Sequence, residues 1–131
     1  MSTTGSVVLD TSILIAHLRG ESEVAVRLSE AGALFVPWVV AGELHYGAKR
    51  ALRQEEQLRM VRDLLRGMIL LLPDEGTSEL YGTVKANLAA AGRPIPENDI
   101  WIATIALQYG LPLATRDGHF EAVAGLNTLD W

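Results

Sequence analysis

The chain has 131 residues, enough for one domain with its own core and too few for two. Sixteen acids against eleven bases leave a formal net charge of −5, the reverse of what bulk attraction to nucleic acid calls for. With 49% hydrophobic residues and a mean hydropathy of +0.19 the chain is apolar enough to expect a partner-covered surface; with no cysteine, disulfides, zinc–thiolate sites and a thiol nucleophile are excluded.

The opening Met-Ser-Thr-Thr-Gly-Ser lacks the basic and apolar regions of a signal peptide, and no apolar run approaches the ~20 residues of a membrane span, so a cytoplasmic protein with no membrane role is expected. Val7, Val8 and Leu9 form a short apolar run that ends on Asp10, the pattern of a fully buried parallel strand. A short helix is expected over residues 12–18, stopped by Gly20, and a second over 21–31 with Val24, Leu28 and Ala31 on one face. A second strand over 33–36 is closed by Pro37. A helix over 38–52 carries Glu43 within its first two turns.

The segment 54–66 is amphipathic, with Leu58, Val61, Leu64 and Leu65 inward and arginines outward. Lys49, Arg50, Arg53, Arg59, Arg62 and Arg66 are concentrated here, opposed by Glu55, Glu56 and Asp63. This run is either a solvated face with i,i+4 pairs such as Glu55 with Arg59 or a track for RNA. A third strand covers 68–72. A helix over 77–91 stacks Leu80, Val84 and Leu88. The prolines at 94 and 96 make the next connector stiff and non-helical. The helix over 97–109 is apolar nearly all round and therefore buried. A fourth strand spans 111–114, a helical turn 120–123 and an edge strand 127–129. Strands alternating with helices give βαβ units and right-handed crossovers. The expected architecture is one domain over 1–131, a three-layer α/β/α fold on a mostly parallel sheet.

Such a sheet gathers function at the carboxyl ends of its strands. Asp10 ends the first strand, Glu43 lies early in the helix after the second, and Asp117 follows the fourth. Asp99 sits in the first turn of the buried helix and reaches that edge if the 94–96 connector delivers it there. Each has an ordinary reading alone: Asp10 as a helix cap, Glu43 as a solvated residue, Asp99 as a dipole-favoured acid, Asp117 as a turn residue. Together they make an oxygen-rich cluster with Thr11, Ser12, Asn98 and Thr115 as polar neighbours. That donor set suits Mg²⁺, with Mn²⁺ as a substitute, and crowding should raise at least one pKa in its absence. The chemistry it suggests is metal-assisted phosphodiester hydrolysis. His17, His45 and His119 lack a nucleophile partner, and no Gly-rich phosphate loop is present.

The motifs Leu9-Asp10-Thr11-Ser12, Val40-Ala41-Gly42-Glu43-Leu44, Asn98-Asp99-Ile100-Trp101-Ile102-Ala103 and Ala114-Thr115-Arg116-Asp117 resemble those of PIN-domain ribonucleases. In order and spacing they look most like the VapC toxins of bacterial toxin–antitoxin pairs, over almost the whole chain. The resemblance implies a PIN-like fold and a Mg²⁺- or Mn²⁺-dependent endoribonuclease, held inactive by a VapB-type antitoxin and commonly a homodimer. By that match Asp10, Glu43, Asp99 and Asp117 bind metal, and Thr115 is the hydroxyl that supports the site. Ser12 and Asn98 lie within the motifs as less diagnostic second-layer candidates. Arg116 either touches phosphate or pairs with a neighbouring acid. His119 reads as a surface loop residue, and Trp38 and Trp101 as core or interface rather than base-stacking platforms.

Three competing readings share these residues. A nuclease for structured DNA would use the same site. A non-catalytic PIN-like binding module would keep the fold without cleavage. A phosphoacceptor signalling domain would want paired acids after its first strand and a late lysine, whereas Asp10 stands alone and no lysine follows Lys85.

Overall fold

Five short strands, the first four separated by pairs of helices, run through the computed structural model, which describes residues 5–131. The Met-Ser-Thr-Thr stretch read above for a targeting signal lies outside them. The strands are β1 (Val7–Leu9), β2 (Leu34–Pro37), β3 (Ile69–Leu71), β4 (Leu113–Thr115) and β5 (Thr128–Asp130). Between them run α1 (Thr11–Leu18), α2 (Ser22–Glu30), α3 (Trp38–Lys49), α4 (Gln54–Arg66), α5 (Glu75–Ala90) and α6 (Glu97–Gln108), and a 3₁₀ turn covers Gly118–Ala122. The strands form a single sheet in the order β3-β2-β1-β4-β5. Every pairing is parallel, so the expectation of a mostly parallel sheet sharpens to an all-parallel one.

The chain first winds outward from β1 to β3, then returns to β4 beside β1. Right-handed crossovers place α1–α4 on one face and α5–α6 on the other, giving three layers. The reversal of direction falls between β1 and β4, the switch point at which open parallel sheets bind ligands. Register fixes this seam: Val8 lies opposite Leu113 and Leu9 opposite Ala114. Val7, Val8, Leu9, Leu113 and Ala114 have no exposed surface, as strands covered on both faces require.

Helix α6 contributes Ile100, Ile102, Ala103, Ile105 and Ala106 to the core. Trp101 covers the remaining side. It stacks on Tyr81 of α5 with ring centroids 3.8 Å apart and meets Trp38 of α3 edge-on at 5.9 Å. The two tryptophans are therefore packing residues between helices.

Most boundaries lie within a residue or two of expectation, and the larger shifts have local causes. Helix α3 stops at Lys49 rather than 52 because the chain turns there to lay α4 back on α3; Leu52 is left fully exposed. Helix α5 starts at Glu75 because Asp74 caps it. The Asp74 carboxylate accepts from the Thr77 N–H at 3.1 Å, and the Thr77 hydroxyl accepts from the Asp74 N–H at 2.9 Å. Strand β4 begins at Leu113 rather than 111 and takes in Thr115. In the basic run the observed ion pairs are Arg53 with Glu56 and Arg66 with Asp63; Glu55 and Arg59 do not form the expected one.

Candidate active site

The site is assembled at the β1–β4 seam. The Asp10 N–H donates to the Ala114 carbonyl at 3.0 Å, so the sheet ladder continues one residue past β1 and sets Asp10 beside Thr115. Asp10 occupies the cap position of α1, but its side chain makes no capping bond. Its Oδ2 instead accepts from the Thr115 hydroxyl at 2.7 Å and the Ser12 hydroxyl at 2.9 Å. The Asp10 carboxylate is thus held by hydroxyls from both sides of the seam and makes no capping bond to α1.

The same hydroxyls hold the opposing loop. Thr115 Oγ1 accepts from the Asp117 N–H at 3.0 Å, and Ser12 Oγ accepts from the Arg116 N–H at 3.2 Å. Thr115 and Ser12 therefore act on both sides of the seam, which suits the supporting role expected of them. Glu43 is reached through Thr11, whose hydroxyl donates to Glu43 Oε1 at 2.7 Å. Asp99 lies in the first turn of α6, where Pro96 sets the helix start, and its Oδ2 is 2.7 Å from His119 Nε2. His119 is thus not the loop residue that the sequence suggested. Nothing in local spacing links it to Asp99; the one sequence signal was its place two residues after Asp117.

Asp10, Glu43, Asp99 and Asp117 all line one cleft of about 510 Å³, with Thr11, Glu97 and Asn98 among its other walls. No lysine or arginine lines it; Lys85 meets Glu97 at 3.0 Å. Arg116 is engaged elsewhere, its guanidinium bonding both carboxylate oxygens of Glu21 at 3.0 Å and the Trp131 carbonyl at 3.1 Å. Of the two roles open to Arg116, the acid-pairing one is the role this geometry displays.

The electrostatics of the cleft are strained. Burial pushes the Asp10 carboxyl above its usual range, against the Thr115 and Ser12 hydroxyls and the Thr11 N–H, and Asp117 adds repulsion. Asp99 is raised to about 6, first by burial and then by the charge of Asp10, with Glu43 adding to it and His119 opposing. These are acids that destabilise one another when ionised together.

Among the described residues no three His, Asp or Glu side chains converge closely enough to hold an ion unaided. The carboxylates line a shared opening rather than forming a closed cage. The donor set nonetheless fits a hard cation. Every side chain that bonds within it offers oxygen, except the His119 nitrogen, which Asp99 occupies, and no lysine or arginine lines the cleft to offset the crowded negative charge. An open set of acids matches an ion that keeps waters and takes substrate oxygens to complete its shell.

Comparison with known proteins gives the family. The PIN domain profile matches residues 7–126. Ribonuclease VapC2 of Haemophilus influenzae is 33% identical over 126 residues, spanning 94% of this chain and 96% of that one. The tRNA(fMet)-specific endonuclease VapC of Shigella flexneri is 32% identical over the same length, with the same coverage. Among solved structures, VapBC-1 from nontypeable Haemophilus influenzae superposes with a TM-score of 0.87 at 30% identity, covering 96% of this chain and 98% of that one. VapBC2 from Rickettsia felis reaches a TM-score of 0.90 at 20% identity, covering 96% and 98%, and speaks for the fold. By profile, sequence and fold, the chain belongs to the PIN-domain family and, within it, to the VapC ribonuclease toxins.

Proposed function

We propose that the chain is a Mg²⁺-dependent endoribonuclease, with Mn²⁺ as a substitute, and that Asp10, Glu43, Asp99 and Asp117 hold the cation directly or through water. The observation that carries this reading is the convergence of those four acids on one cleft at the β1–β4 switch point, with no lysine or arginine in its lining. When bound, a divalent cation supplies charge neutralisation for a phosphate and an acidified water at neutral pH. The chain's own groups do the rest. Thr115 and Ser12 fix Asp10 by donating to one oxygen, which leaves its other oxygen for the cleft. Thr11 orients Glu43 in the same way. Asn98, on the cleft wall, is placed to hydrogen-bond a phosphate oxygen or a water. Leu9, Ala114 and Ile100, the chain neighbours of Asp10, Thr115 and Asp99, are buried, so these interactions form at the edge of an apolar core that strengthens them.

The same reading makes a VapB-type antitoxin the natural partner, since the solved VapBC relatives are toxin–antitoxin complexes. A groove of about 340 Å³ adjoins the cleft at Glu43 and is walled by Ile15, Leu18, Leu44 and Val61 together with Arg19 and Gln57, a surface suited to an amphipathic segment of such a protein. A homodimer in the cytoplasm completes the proposal. The exposed Ile69, Leu70 and Leu72 at the β3 edge favour a covered surface, and among the described residues no helix is long and apolar enough to cross a membrane.

The test is cleavage of total RNA and of matched single- and double-stranded DNA by the purified protein, with Mg²⁺, with Mn²⁺ and with chelator. RNA should be cut in either metal, spared in chelator and spared by Asp10→Asn. Cleavage that persists in chelator overturns the metal-dependent mechanism, and preferential cutting of DNA overturns the substrate class.

A further inference from the structure

Asp99 differs from its three companions in being held by a side-chain nitrogen. His119 Nε2 lies 2.7 Å from Asp99 Oδ2 and joins the first turn of α6 to the 3₁₀ turn after β4. Neither partner is loosely placed. The Asp99 side chain is 15% exposed, and the imidazole packs against Phe120 with ring centroids 4.8 Å apart. Phe120 is fully buried, so it pins the backbone from which His119 reaches out. The segment 115–120 therefore touches the acid cluster at three points: Thr115 on Asp10, Asp117 in the cleft wall and His119 on Asp99.

We propose that His119 is a positioning residue for Asp99, its ring N–H holding one carboxylate oxygen so that the other is presented to a divalent cation in the cleft. The inference rests on the reading of the cleft as a cation site. Three physical points carry it. The terminal torsion of an aspartate is broad, so an unheld carboxylate rotates freely enough to lose a fixed ligand direction. Asp10 and Glu43 repel Asp99, so without a donor its favoured rotation is away from them and from the position a shared ion needs. A lysine or arginine in place of His119 would hold the carboxylate but add a permanent positive charge that competes with the cation. An imidazole donates an N–H without carrying a permanent charge. Outer partners that orient a ligand in this way are worth roughly 10–100-fold in metal affinity.

The experiment uses the full chain, with His119→Ala and His119→Gln made alongside the unaltered protein. Glutamine keeps an N–H donor at about the reach of the imidazole Nε2. Mn²⁺ binding is measured calorimetrically without RNA, and RNA cleavage is followed against Mn²⁺ concentration. His119→Ala should weaken Mn²⁺ binding by roughly tenfold or more and shift half-maximal Mn²⁺ for cleavage by the same factor, with kcat largely recovered at saturating metal. His119→Gln should restore most of the affinity. A His119→Ala protein that melts normally and binds Mn²⁺ as tightly as the unaltered chain overturns the proposal. Equal loss in both variants does so too, because the N–H donor would not be what matters. If the alanine variant does not fold, His119→Gln decides alone: retained affinity supports the role and a tenfold loss overturns it. An unaltered protein that binds no Mn²⁺ overturns the cation reading of the cleft itself, a result distinct from one in which it binds and His119 makes no difference.

Discussion

Asp99→Asn should make the metal-free protein more stable while abolishing cleavage. The Asp99 carboxyl moves from 3.8 to about 6 on folding, pushed first by burial and then by Asp10. At 1.36 kcal/mol per unit, that displacement is an ionisation cost of about 3 kcal/mol borne by the folded state at neutral pH. The side chain is 15% exposed, so solvent screens little of it. Asparagine removes the charge and keeps an oxygen for the His119 N–H, but it still buries an amide NH₂ whose hydrogen bonds are incomplete. The net gain should therefore be about 1–2 kcal/mol, which for a domain of this size raises the melting midpoint by roughly 3–8 °C. The sign depends on pH. The folded carboxyl binds its proton more tightly than the unfolded one, so the cost is complete above about 6 and gone below the unfolded value of 3.8. Melts in chelator at pH 7.5 should separate the variant from the unaltered chain, and melts near pH 4 should not. Adding Mg²⁺ at pH 7.5 should reverse the order, because the ion stabilises only the protein that binds it. A variant that is less stable in chelator at pH 7.5, or a gain independent of pH, would refute the crowding argument and make Asp99 a structural residue.

Thr115→Val keeps shape but removes the hydroxyl that donates to Asp10 and accepts from the Asp117 N–H; with Thr115 5% exposed, it should cost about 1–3 kcal/mol in urea titrations and depress RNA cleavage as well. Thr77→Val breaks the cap of α5 at a fully buried hydroxyl and should cost a similar ~1–3 kcal/mol, yet leave cleavage by the remaining folded protein unchanged, since that helix start does not line the cleft. Asp74 is held below the usual carboxylate range, chiefly by the Gln108 amide and then by the Thr77 N–H. Its contribution is present above the unfolded value of 3.8 and lost as pH falls through the lower folded one, so the destabilisation by Asp74→Ala seen at pH 7 should shrink on acidification. Arg116→Ala should cost no more than ~1 kcal/mol, because the Glu21 pair is partly exposed, and should leave KM for RNA unchanged if the guanidinium stays with Glu21; a raised KM would restore the phosphate-contact role.

The acid cluster was readable from sequence because each of its members sits at a strand end or within the first two turns of a helix. Asp10 follows a run of three apolar residues, Glu43 follows Pro37 and Trp38, Asp99 follows the stiff Pro94–Pro96 connector, and Asp117 follows the strand that ends in Thr115. In a parallel sheet those boundaries all lie on one edge, so the topology that the alternation of elements implies converts positions along the chain into proximity. The PIN-like fold was legible for the same reason. The amphipathic pattern of α4, the all-round apolar α6 and the continuous apolar strands are local signals, and right-handed crossovers leave few ways to assemble them.

The partnerships across the seam were not legible, because they join residues with no local relation. His119 meets Asp99 across 20 positions, Thr115 meets Asp10 across 105, and Arg116 meets Glu21 across 95. The sequence alone determined that Asp10 stands at both a strand end and a helix start, and it allowed either a cap or a ligand. The tertiary structure shows which partners the carboxylate takes. The β1–β4 ladder carries Thr115 to Asp10, and the carboxylate takes the hydroxyls of Thr115 and Ser12 in place of a capping bond while lining the cleft. Local pattern sets which elements form and which edge they share. Only packing determines which donor reaches which oxygen, because a hydrogen bond depends on tenths of an ångström that no spacing along the chain encodes.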